Sequence, residues 1–99
     1  MQLIEATTLK QRMITEKLNL IDVRQPEEHA EFNIGGILLP LGNIMSMQIE
    51  DIEDLRDEEV ICYCRSGQRS MQAAMMLETM GFTNVKNLVG GMLGWEREM

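Results

Sequence analysis

The chain is 99 residues long, 44% hydrophobic and 25% charged, with a formal net charge of −7. This length is expected to hold one domain over residues 1–99, with apolar surface enough to fold and a thin stability margin. The acidic balance excludes a general nucleic-acid binder, which needs a basic face, and no apolar run reaches the length of a membrane-spanning helix.

"MQLIE" reads as a short edge strand. "TTLKQRMITE" has Leu9, Met13 and Ile14 at helical spacing, with Thr7 or Thr8 placed to cap the helix. "KLNLIDVR" carries Leu18, Leu20, Ile21 and Val23 almost without interruption, as expected of a strand covered on both faces of a parallel sheet. "QPEEHAEF" opens with Pro26 and two acids, the pattern of a first helical turn. Ile37–Leu39, between a glycine pair and Pro40, reads as a third strand, and "MSMQIEDIEDLRDEE" as a helix. "VICYC" is the strongest strand in the chain. The loop "RSGQRS" follows it, then the helix "SMQAAMMLETMGF", stopped by Gly81. "TNVKNLVGG" is a last strand and "GMLGWEREM" a terminal helix. Strands alternating with helices predict an α/β fold with a mostly parallel central sheet.

"MQLIEATTLK" shows no basic stretch leading into a long apolar segment, so no secretory leader is expected. Cys62 and Cys64 make neither a disulfide framework nor a four-ligand zinc set. A reducing, cytoplasmic setting without metal or cofactor is the expectation. Ten methionines are read as core filler.

Cys64 ends the most apolar strand just before a helix, where open α/β sheets place their ligands. Gly67 lets the amides of residues 65–69 curl toward one point, and the next helix adds its positive end. Arg65 and Arg69 supply fixed cations and Ser66 a hydroxyl, while Ser70 is read as a helix cap. Such surroundings lower a thiol pKa and hold an anion centred on sulfur. Cys62, two residues earlier on the same side of the strand, is read as a small core residue. Neighbours at i and i+2 on an extended strand have poor geometry for a disulfide. His29, the only histidine, is expected to be exposed, and Trp95 to anchor the last helix.

"LIDVRQPEEHAEFNIGGILLPL", "ICYCRSGQRS" and "MGFTNVKNLVGGMLGW", in that order over nearly the whole chain, resemble the rhodanese-like domain family. The resemblance implies a thiosulfate sulfurtransferase, an α/β domain with helices on both faces of its sheet. Cys64 would take a sulfane sulfur from a small anionic donor such as thiosulfate and become a persulfide. It would then pass the sulfur to a thiophilic acceptor, cyanide or a thiol. Arg65, Ser66, Gly67, Gln68 and Arg69 would form the substrate cradle, with Asp22 and Arg24 as structural supports. The alternative is a carrier module that relays sulfur between protein partners. Four residues separate Cys64 from Arg69, where the phosphatase branch of the fold has five; the shorter ring favours sulfur over a phosphoryl group. Arg24 has Glu27 and Glu28 as acidic neighbours, and a solvated ion pair there would contribute little. Asn33 and Gly35 stand where the family usually has His and Pro, which removes the Pro that would stiffen this turn.

Overall fold

A computed structural model describes residues 1–97. In chain order its elements are β1 (Gln2–Ile4), α1 (Ala6–Thr15), β2 (Leu20–Asp22), α2 (Pro26–Glu31), β3 (Ile37–Leu38) and α3 (Leu41–Met45). A 3₁₀ helix over Glu50–Leu55 follows, then β4 (Glu59–Tyr63), α4 (Gln68–Thr79), β5 (Asn84–Leu88) and α5 (Gly91–Arg97). The strands form one sheet in the order β1-β5-β4-β2-β3, every neighbouring pair parallel. The expected α/β architecture is therefore present, with β1 at an edge and β4 at the centre.

Both faces of the sheet are covered, which is why the central strands read as continuous apolar runs. Side-chain alternation along β4 sends Val60 and Cys62 to the face under α3 and α4, with Ala73, Ala74 and Leu77. Ile61 and Tyr63 go to the other face, against Leu9 of α1 and Met92 and Trp95 of α5. Trp95 thus anchors the last helix, and Lys10 lies 4.7 Å from its ring centroid. No helix of the described residues is long and apolar enough to cross a membrane.

Several local expectations are corrected. Helix α1 starts at Ala6 with Glu5 as its N-cap, so neither Thr7 nor Thr8 caps it, and Ile14 is 81% exposed. The acidic segment expected as one helix splits into α3, a turn with Met47 at φ +63°, and the 3₁₀ helix. Three residues per turn line up Ile49, Ile52 and Leu55 on one edge, and these pack into the core while the acids face out. The methionines are not mainly core filler: Met92 is the only one buried among the described residues, and Met45, Met47, Met71 and Met75 are exposed. Met99 lies outside the described residues.

Candidate active site

Cys64 stands one residue past β4, 1% exposed, where the central strand delivers it to the C-terminal edge of the sheet. Gly67 makes the turn into α4 with φ +102°, a conformation that costs an L-residue steric strain. The turn aims neutral donors at the sulfur. The Gly67 amide donates to Sγ at 3.1 Å, and the Ser70 amide and hydroxyl each donate at 3.4 Å. Burial opposes the thiolate. The hydroxyl of Ser70 and the amides of Ser70, Gly67 and Ser66 outweigh it, so the Cys64 pKa lies below that of an ordinary thiol. Cys62 shows what burial does without donors: its thiol is pushed up to about 12. One thiol is shifted toward the thiolate and the other away from it.

Ser70 is therefore not the cap expected from the sequence. Gly67 holds the N-cap position, and Ser70 lies buried in the first turn of α4, touching Cys64 Sγ, Gly67 O and Asn87 Oδ1. The amide nitrogen of Asn87 donates to Gly67 O at 3.1 Å. Spacing could have revealed Ser70, since i+3 from Gly67 falls on the same helix face. Asn87 gives no sequence signal, because only the β4–β5 register, which pairs it with Cys62, brings it here.

The two arginines differ. Arg65 is exposed beside a cavity of about 310 Å³ that Phe32, Leu93 and Glu96 also line. Arg69 is held by both oxygens of Glu28, at 2.8 and 3.0 Å, and this pair keeps the Glu28 carboxyl at about 2. Ser66 and Gln68 are exposed, and Ser66 acts on the sulfur through its amide.

Asp22 and Arg24 form a buried ion pair beside the loop. The guanidinium donates to both Asp22 oxygens, at 2.9 and 2.8 Å, and to Phe32 O at 2.5 Å. The partner of Arg24 is thus Asp22, not Glu27 or Glu28. His29 is half-buried instead of exposed, its Nδ1 2.8 Å from Asp22 Oδ2. Burial resists ionisation of Asp22, but the hydrogen bonds from Arg24 and His29 keep its pKa below the usual value. On the far side of the loop, α5 begins against the chain: Met92 and Leu93 amides donate to Cys64 O and Arg65 O, at 2.8 and 3.0 Å.

Residues 5–98 match the family model for the rhodanese-like domain. The chain belongs to the rhodanese-like domain family. It is 41% identical over 98 residues to a putative sulfurtransferase of Bacillus subtilis (strain 168), covering 96% of this chain and 90% of that protein. A sulfurtransferase of Allochromatium vinosum is 38% identical over 96 residues, covering 95% and 87%. Among solved structures, a rhodanese-like domain protein from Staphylococcus aureus superposes with a TM-score of 0.84 at 28% identity, covering 96% of this chain and 91% of the other. This rhodanese-like domain thus falls among sulfurtransferases in sequence and shares its fold with a rhodanese-like domain.

Its departure at Asn33 and Gly35 does not leave the turn loose. Asn33 Oδ1 accepts the Gly35 amide at 2.8 Å, and its Nδ2 donates to His29 O at 3.0 Å. An asparagine-centred turn, with Gly35 at φ +94°, replaces the proline.

Proposed function

We propose that this rhodanese-like domain is a thiosulfate sulfurtransferase working through a Cys64 persulfide. The observation that carries the reading is the set of neutral donors on Cys64 Sγ at the end of the central strand. They favour the thiolate, the nucleophilic form of the residue. The thiolate attacks the sulfane sulfur of thiosulfate, and a new S–S bond forms. The old S–S bond breaks with its electron pair leaving on sulfite. The persulfide keeps a negative charge that the same cradle of residues 65–69 holds, acting through amides at Ser66 and Gly67 and through Ser70 beside them. Cyanide or a thiolate then attacks the outer sulfur, and Cys64 departs as thiolate, ready for another round. No proton is needed in either transfer, which suits a site without a histidine against the sulfur.

Roles follow from placement. Arg65, exposed at the rim, meets the anionic donor. Arg69 fixes α2 against α4 through Glu28, and Gln68 opens the helix whose first turn faces the sulfur. Asp22 and Arg24 brace the neighbouring turn. The chemistry calls for no cofactor.

Incubation with thiosulfate, followed by intact mass measurement, tests the reading. The protein is expected to gain the mass of one sulfur atom, to lose it to cyanide as thiocyanate, and to do neither as Cys64→Ser. A persulfide that passes only to a protein thiol would replace the enzyme with a carrier. Absence of any adduct on wild-type protein would overturn both.

A further inference from the structure

The Ser70 hydroxyl sits among three acceptors and has one hydrogen. Gly67 O, at 3.2 Å, already accepts the Met71 amide and Asn87 Nδ2, each at 3.1 Å, so both its lone pairs are occupied. Cys64 Sγ and Asn87 Oδ1 remain. The orientation of the Asn87 amide is fixed, because the reverse would set its oxygen against Gly67 O. Its backbone is fixed too, by parallel pairing to Leu3 on one side and Cys62 on the other. Asn87 is 2% exposed, so bulk solvent does not reach its carbonyl in place of Ser70.

We propose that Asn87 is a positioning residue for the nucleophile, its side-chain carbonyl competing with the Cys64 sulfur for the single hydroxyl hydrogen of Ser70. With Cys64 as thiol, the S–H donates to Ser70 Oγ and the Ser70 hydrogen goes to Asn87. With Cys64 as thiolate or persulfide, the Ser70 hydrogen turns to the sulfur and leaves the Asn87 carbonyl unpaired. Asn87 thus holds the site back from binding the anion as tightly as it could, which keeps the Cys64 thiolate more basic and so more nucleophilic toward the donor. This rests on Cys64 being the nucleophile. The other charged or titratable groups nearby are Arg69 of α4 held by Glu28 of α2, Arg65 on the loop, Cys62 of β4, and Asp22 of β2 closed off by Arg24 and His29.

The Cys64 thiolate can be titrated by its ultraviolet absorbance, with Cys64→Ser as blank. Cys62 and Tyr63, both pushed up to about 12 by burial, stay protonated through the useful range. Ser70→Ala is expected to raise the midpoint by about one pH unit, the size of one hydrogen bond to a charged group. Asn87→Ala is expected to lower it by about half a unit in the wild-type background, less than a full hydrogen bond because the lone pair vacated on Gly67 O takes a share of the Ser70 hydrogen, and to leave it unmoved in the Ser70→Ala background. A rise with Asn87→Ala, or the same shift in both backgrounds, would mean that Asn87 acts only as a brace on Gly67 and would overturn the proposal. Should Asn87→Ala not fold, the near-isosteric Asn87→Leu removes the carbonyl without adding charge and must lower the midpoint in the wild-type background only; a rise, or the same fall with Ser70→Ala, overturns the proposal equally. The titration needs no sulfur donor, so a failure of sulfur transfer and a failure of this proposal are read separately.

Discussion

The two ends of β4 each surround an acidic group with donors, by opposite means. At the start of the strand Glu59 is gripped by charge: Arg12 donates to both oxygens, at 2.9 and 2.5 Å, and Lys86 stands 2.6 Å away. Arg12 first, then Lys86, bring its carboxyl down to about 2. At the finish Cys64 is held by an alcohol and backbone amides. The first end is partly wet, so its ions retain solvent. The second is closed, where a full cation would need desolvation of its own. Neutral dipoles also suit a sulfur whose identity changes, because they serve thiolate and persulfide alike, whereas an ion pair fastens one carboxylate in place.

If the closed end depends on backbone approach, the largest effect should come from Gly91→Ala. A Cβ there would lie 2.4 Å from Cys64 O and 2.6 Å from Arg65 C and O, all backbone atoms, at φ +55°. We expect a loss of roughly 4 kcal/mol or no folded protein, read by denaturant unfolding. A stability change below about 1 kcal/mol would show that the loop can yield.

Asp22→Ala comes next. It strands Arg24, which is 6% exposed, and such breaks of buried pairs cost about 3 kcal/mol. Equilibrium unfolding measures it, and a near-neutral result would place this pair with the surface ions.

Gly67→Ala has room for its Cβ, whose nearest neighbour would be 3.6 Å away, but not a suitable φ. It should cost about 1–2 kcal/mol and, by turning the amide off the sulfur, raise the Cys64 titration midpoint. Lost stability with an unmoved midpoint would separate the turn from the thiolate.

The smallest effect belongs to the wet end. Glu59→Gln should cost about 0.5–1 kcal/mol at neutral pH. A carboxyl depressed on folding stabilises above its unfolded pKa of about 4.3 and loses that contribution as pH falls toward the folded value. The gap between wild type and variant should therefore close between about 4.3 and about 2. Unfolding curves across that range check it, and a gap constant with pH would rule out the ion pair as its source.

Much of the site was legible because it is local. The apolar run into Cys64, the glycine three residues on and the helix after it fix a sulfur at a turn of amides, whatever packs around them. Cys62 was legible as core through strand alternation alone. That Glu28 holds Arg69 was not legible, because the two lie 41 residues apart on different helices. His29 looked like an ordinary exposed residue of an acidic helix until Asp22, seven residues earlier on β2, was found against its ring.

By itself, then, the sequence determined what short-range sterics and periodicity can carry: the α/β alternation, the cysteine at the end of the central strand, the tight turn and the order of three linked motifs. The tertiary structure alone decided which groups meet the Ser70 hydroxyl, which carboxylate holds each arginine, and that Asn87 reaches the site. Those contacts depend on strand register and helix packing between distant segments, and a side chain carries no local mark of the partner that such packing brings to it.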